Sequence, residues 1–273
     1  MPRRSSSLLS AAILGLTASK AVMAASAGCG KAPALANGVH QMIINDKARQ
    51  YTLQLPSNYN QNAVHKLVFG YHWLGGTMSD VADNGYYGLQ ALAGDSTIFV
   101  APDGLDKGWA NNGNEDLAFT DEMVAAIEQS LCVDENLLFA TGFSYGGAMS
   151  RSVACSRADV FRGVAVLSGG PLSGCDGGTE PIAYLGQHGV GDNVLPIDLG
   201  RQLRDTFVEN NGCQAQSPED PAPGSGQHIK TTYSGCSADN PVVWIGFDGG
   251  HEPLPQGDAW TSQEIWAFFL QFS

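Results

Sequence analysis

Hydrophobic positions along the chain follow two rhythms. Near the start, residues 38–44 and 49–55 flank the polar stretch Asn45-Asp46-Lys47-Ala48, a pattern that predicts an antiparallel hairpin. Six short apolar runs follow, at residues 67–71, 98–101, 137–140, 164–167, 182–185 and 242–245. Continuous hydrophobicity over four or five residues marks strands buried on both faces. The segments between them are longer. Across residues 117–131, Phe119, Met123, Ile127 and Leu131 recur at every fourth position, which predicts a helix with one apolar face. Leu199, Leu203 and Phe207 repeat the spacing, and residues 264–272 predict a closing helix. Strand alternating with helix implies a mostly parallel sheet with helices on both faces. Ligands of such sheets gather at the carboxyl ends of the strands.

No internal repeat or long linker divides the 273 residues, and the Pro-, Gly- and Ser-rich residues 217–226 read as a surface loop. One α/β domain is therefore expected. It begins after a leader. Arg3 and Arg4, an apolar run over residues 8–16, and the small-residue end at Val22-Met23-Ala24 have the layout of a secretory signal peptide over residues 1–24. That leaves residues 25–273 as a single domain of a secreted, extracellular protein. The apolar run is broken by Ser10, Thr17, Ser19 and Lys20, so it is too short and too polar for a permanent membrane anchor.

Charge narrows the partners. The chain carries a formal −13, and losing Arg3, Arg4 and Lys20 with the leader leaves 11 basic against 27 acidic side chains, a formal −16. A field of that sign repels phosphate backbones and anionic lipid, which argues against nucleic-acid and membrane partners. The six cysteines all follow the expected cleavage point, and none lies in a C-x-x-C pair or beside a histidine at ligand spacing. Disulfides are expected, and neither a metal site nor another cofactor.

The run at residues 137–140 leads directly into Thr141-Gly142-Phe143-Ser144-Tyr145-Gly146-Gly147 and then into helix-forming Ala148-Met149-Ser150-Arg151. This is G-x-S-x-G between strand and helix, the setting of a nucleophile elbow. Glycines are needed because the reversal is too tight for side chains, and the serine then stands at a helix N-terminus that favours developing negative charge. A serine hydroxyl needs a base. Of six histidines, His40 and His65 sit in or before early strands, His72 precedes the elbow, His228 lies in a polar stretch, and His188 reads as support for its own loop. His251 follows the last strand in Asp248-Gly249-Gly250-His251, the terminal place in the order Ser, acid, His. Asp192, in the loop after the run at 182–185, is the expected acid. Asp176 follows an earlier strand and Asp248 is too close in sequence to His251. For the oxyanion hole, one amide comes from Tyr145 and the other from His72-Trp73-Leu74-Gly75-Gly76, with Leu74 favoured over Trp73.

With these residues in place, the chain resembles fungal feruloyl esterases of the C type, within an α/β-hydrolase group that includes acetylxylan esterases and polyhydroxybutyrate depolymerases. The likeness runs from Cys29-Gly30-Lys31 through Tyr71-His72-Trp73-Leu74-Gly75-Gly76, Ala101-Pro102-Asp103-Gly104, Gly108-Trp109-Ala110-Asn111 and the elbow to Asp248-Gly249-Gly250-His251. It implies an α/β-hydrolase fold, the triad Ser144, Asp192 and His251, and a substrate among hydroxycinnamoyl esters. Those would be feruloylated arabinoxylan or pectin oligosaccharides and small hydroxycinnamate esters. Many members of the wider group have glycine where this chain has Trp73. Acetylxylan esterase or polyester depolymerase activity with the same triad is the competing expectation, and a catalytically silent binding protein on this fold is a third. Trp73, Trp109, Phe119 and Tyr145 lie in segments bordering the catalytic edge, where they either stack a flat ring or pack the core. Helices antiparallel to the strands place Cys132 and Cys155 at the edge opposite the site, with Cys213 and Cys236 beside them. The expected pairs are thus Cys132–Cys155, Cys213–Cys236 and, by elimination, Cys29–Cys175.

Overall fold

The computed structural model describes residues 24–255 and 260–272; the leader expected over residues 1–24 lies outside the described residues but for Ala24. Two strands open the fold, β1 (Gly38–Ile44) and β2 (Lys47–Gln54), paired antiparallel. Their connection is shorter than the expected four residues. Asn45 and Asp46 alone turn the chain, with φ of 49° and 62°. Two left-handed residues make the tight hairpin turn whose twist matches the strands, and Asn and Asp tolerate it best.

The remaining strands are β3 (His65–Tyr71), β4 (Thr97–Pro102), β5 (Val133–Phe143), β6 (Gly163–Leu167), β7 (Ala183–Gly189), β8 (His228–Thr232) and β9 (Val242–Phe247). The nine-stranded sheet has the order β1-β2-β4-β3-β5-β6-β7-β9-β8. Its centre, β4-β3-β5-β6-β7-β9, is parallel, with antiparallel strands β2 and β8 flanking it. β3, β4, β6, β7 and β9 are buried at every residue, as the continuous apolar runs require. β8 corrects the reading of His228 as a loop residue. It is an edge strand whose residues alternate between exposed and half-buried, so its sequence shows no apolar run.

Helices α3 (Glu115–Ser130), α4 (Tyr145–Ser156) and α5 (Ile197–Asn210) cover one face. Phe119, Met123, Ile127, Met149, Val153, Leu203 and Phe207 fill that layer with Leu67, Phe69, Leu138 and Val164. α1 (Met78–Asp83), α2 (Gln90–Ala93) and α6 (Trp260–Phe269) cover the other through Met78, Val81, Ile265, Phe268 and Phe269 on Val68, Phe139 and Leu185. Each such side chain contributes roughly 1.5–3 kcal/mol by leaving water. Among the described residues no helix is long and apolar enough to cross a membrane.

Three disulfides join Cys29 to Cys132, Cys155 to Cys175 and Cys213 to Cys236. Only the last pair matches expectation. The segment after Ala24 docks against the start of β5, where Ser26 N–H donates to Val133 O and Ser26 Oγ to Leu131 O, and this carries Cys29 to Cys132. The connection from β6 to β7 must return across the molecule to the opposite edge. On the way it passes the end of α4, where Asp176 N–H bonds Ser156 Oγ and Cys175 meets Cys155.

Candidate active site

β5 delivers Ser144 at φ 57° and ψ −115°, a backbone geometry costly for any residue with a side chain. The reversal into α4 is held by Ser144 N–H donating to Leu167 O at 2.9 Å and Ala148 N–H donating to Ser144 O at 3.0 Å. It closes only around glycine. A Cβ on Gly146 would stand 2.0 Å from Tyr71 O, and one on Gly142 2.4 Å from the Gly146 carbonyl carbon. The elbow therefore rides directly on the end of β3.

His251, on the loop after β9, places Nε2 2.8 Å from Ser144 Oγ and Nδ1 2.6 Å from Asp192 Oδ2. A carboxylate only accepts, so Nδ1 carries the hydrogen and Nε2 is free to take the serine proton. The Asp192 side chain is fully buried and its partners are complete. Oδ1 accepts the amides of Val194 and Leu195, each at 2.9 Å. Oδ2 meets His251 and also, at 3.2 Å, Nε2 of His188. His188 in turn donates to Leu195 O at 2.7 Å, and burial lowers its pKa, keeping the ring neutral. His188 thus braces the loop that carries the acid. His251 itself packs on Phe143, with ring centroids 4.6 Å apart.

The rival residues are engaged elsewhere. Asp176 binds the Asn114 amide on the surface, and Asp248 accepts Gly226 N–H, which with neighbouring backbone amides lowers its pKa. His40 bonds Ala36 O, His65 bonds Cys132 O, and His228 stacks on Trp260. His72 is enclosed under the loop that follows β3. Its Nε2 accepts Gly104 N–H at 2.9 Å, which leaves Nδ1–H to donate to Trp73 O at 2.8 Å. The loop above it is tied by Gly75 N–H to Lys107 O and Gly76 N–H to Trp73 O. Leu74 is 65% exposed, and Trp73 is half-buried with its ring centroid 6.4 Å from that of Phe143.

Two of the aromatic expectations are corrected. Trp109 and Phe119 are both fully buried and cannot stack a substrate. Trp109 makes a T-shaped contact with Tyr71 and donates its indole N–H to His72 O at 2.7 Å, supporting the loop after β3. Phe119 lies in the core under the Arg49 guanidinium, 4.2 Å from its ring centroid. Sequence reasoning did not pick out the exposed Leu172 and Val194, which stand on the loops after β6 and β7 at the catalytic edge. Isolated surface leucines and valines carry no signal until the topology places them. Among the described residues no group of three His, Cys, Asp or Glu side chains is arranged to hold a metal ion.

No protein-family model matches the chain. It is 50% identical over 270 residues to the probable feruloyl esterase C of Aspergillus terreus, a match that covers 97% of each chain. The feruloyl esterase C of Emericella nidulans is 51% identical over 251 residues, covering 90% of this chain and 91% of that one. Among solved structures, the acetyl xylan esterase from Aspergillus awamori matches with a TM-score of 0.61 over 85% of this chain and 99% of its own, at 18% identity. At that identity the likeness speaks for the α/β fold alone.

Proposed function

The chain belongs to the fungal feruloyl esterases of the C type, and from that premise we propose that Ser144, His251 and Asp192 are its catalytic triad. The enzyme is a carboxylic ester hydrolase that releases ferulic acid from hydroxycinnamate esters. One observation carries the triad: a single imidazole bridges the serine at 2.8 Å and a fully buried carboxylate at 2.6 Å. As the Ser144 oxygen attacks the ester carbonyl carbon, its proton passes to His251 Nε2, and Asp192 holds the imidazolium that forms. The carbonyl oxygen becomes an oxyanion facing the amides of Tyr145 and of Leu74. Collapse breaks the bond to the alcohol, which leaves with the proton from His251. Water then attacks the feruloyl-serine through the same base and releases ferulate.

The hydroxycinnamoyl ring is placed against Trp73 and the exposed Leu172 and Val194, apolar surface that an acetyl group would leave uncovered. Feruloylated arabinoxylan or pectin oligosaccharides are the natural substrates in this reading. The protein is read as secreted, with one catalytic domain from residue 25 onward, and three disulfides suit an oxidising compartment.

Ser144→Ala is expected to lower ferulate release from methyl ferulate by a factor on the order of 10⁴ or more while the thermal transition persists. Retained turnover would refute the assignment. Acetylated xylan and hydroxybutyrate oligomers, tested beside methyl ferulate, are expected to be poor substrates.

A further inference from the structure

From the oxyanion loop a groove of about 330 Å³ runs away from the triad, and its lining differs in kind from the apolar rim at Leu172 and Val194. Leu74 and Tyr145 form its catalytic end. Asp106, Asn112, Glu115 and Lys47 form the far end. Lys47 and Glu115 pair across the groove, whereas no hydrogen bond or ion pair holds the Asp106 carboxylate or the Asn112 side chain among the described residues. Asp116, on the floor, has one oxygen on Arg49 and the other on Asn111 N–H. Asp106 and Asn112, with these unpaired polar groups, both line the groove.

The wall is built to hold one shape. Asp106, Lys107, Asn111 and Asn114 take φ of 52°, 54°, 49° and 65°, four non-glycine residues in the left-handed region within nine positions. Such strain persists only where surroundings enforce it, and it gathers at functional sites. Here the enforcement is visible. The buried Asn111 side chain donates to Ser173 O and Ser152 Oγ and accepts the amides of Asp116 and Leu117, so it both anchors the loop and caps α3. Lys107 O receives Gly75 N–H from the oxyanion loop. Gly108 lets Tyr145 and Leu74 close over the inner end, since a Cβ there would stand 2.9 Å from the tyrosine ring and 3.4 Å from the leucine.

We propose that this groove binds the sugar of the ester, an uncharged glycan chain linked through the hydroxyl that carries the ferulate. This rests on the esterase reading above. A hydroxycinnamoyl ring pressed among Asp106, Glu115 and Lys47 would strip water from charges it cannot pair with. A sugar replaces that water with its own hydroxyls. Uronate chains are disfavoured, because the rim's carboxylates and the protein's net charge have the same sign as theirs. The acyl group and the sugar then lie on surfaces of opposite character, with the reacting carbonyl between them.

The test compares two esters with the same acyl group. Methyl ferulate leaves methanol, too small to reach the groove; a feruloyl-arabinofuranosyl xylotriose fills it. The variants are Asp106→Gly with Asn112→Ala, in which glycine suits the left-handed backbone, and Ala110→Trp, which fills the groove from its exposed wall. Each is expected to lower kcat/KM on the sugar ester about tenfold, the scale of two lost hydrogen bonds. Methyl ferulate turnover stays within about twofold and reports correct folding in the same samples. Equal losses on both esters, or no loss on either, would overturn the groove assignment while leaving the esterase standing. A wild-type enzyme that does not cleave methyl ferulate would overturn the esterase reading itself.

Discussion

His251 and His72 reach the same edge of the sheet on different loops, and their ring partners separate their chemistry. His251 keeps Nε2 for the serine because Asp192 takes Nδ1–H. His72 has both nitrogens committed, one accepting from Gly104 N–H and the other donating to Trp73 O, so a second ring proton would point at a donor. Burial lowers its pKa accordingly. The stability it contributes is complete above the ordinary imidazole value and is lost as pH falls from there through the lower folded-state value, because the unfolded chain takes the proton first. One such site changes stability by up to about 1.4 kcal/mol per pH unit, roughly 3–5 °C for a domain of this size. Between pH 6.5 and 5 the melting temperature of the wild type is expected to fall more steeply than that of His72→Gln, which starts lower but has nothing to protonate. Parallel slopes in a melting series would contradict this. At the same scale, the hydrogen-bonded arrangement of Ser144, His251 and Asp192 was readable because chain order and the strand-to-helix setting left Ser144 and His251 few rivals. Phe119 was misread although the four-residue spacing that revealed its helix already assigned it to the buried face. Trp109 gave no such signal, since the need of its indole N–H for His72 O appears only once the loop is folded.

Elements were legible in proportion to how fully they are buried. The central strands show as apolar runs because both faces of the sheet are covered, and α3 shows as a stripe because only one of its faces is. β8 lacks either signature, and α1 and α2, of six and four residues, are too short for a period, although Thr77 and Asp80 form the capping box that starts α1. Two of the three disulfides were misassigned because edges of the sheet were read without the long connection that carries Cys175 back to α4. What ties the hairpin to α3 was also invisible: Arg49 on β2 donates to Asp116 in the first turn of the helix at 2.7 Å, with the two side chains 1% and 3% exposed. Burial pushes the Asp116 pKa up even with that guanidinium beside it. Arg49→Met should therefore strand a buried carboxylate and destabilise by about 3–5 kcal/mol, lowering the melting temperature by on the order of 10 °C. Replacing both partners, Arg49→Met with Asp116→Leu, is expected to recover part of that loss. A double mutant no more stable than Arg49→Met alone would show that the pair is not the source of the cost.

Across the whole molecule, charge bears on which of the two proposed polysaccharide substrates is captured, a distinction the proposed triad cannot make. The chain carries a formal −13 with a sequence pI near 4.6, and three of its fourteen basic residues lie in the first twenty positions. Feruloylated arabinoxylan fragments are close to neutral, whereas feruloyl groups on pectin hang from side chains of a polyuronate backbone that is anionic at pH 6. The proposed triad would act on either ester once bound, so the difference must appear in capture. Like-signed fields slow encounter and weaken binding, and salt screens them over about 10 Å at 0.1 M ionic strength. At pH 6, raising ionic strength from about 0.01 to 0.2 M should therefore increase kcat/KM on feruloylated pectin fragments several-fold, mainly through KM. The value for arabinoxylan fragments of similar size is expected to stay nearly flat. Steady-state kinetics across a salt series decides it. A pectin rate that falls with salt would mean that a local cationic surface outweighs the net charge; one that does not move would mean that capture is governed by the groove and the apolar rim alone. A rise with salt would instead mean that the net charge opposes capture of the polyuronate, in keeping with the uncharged sugar proposed for the groove beside Tyr145.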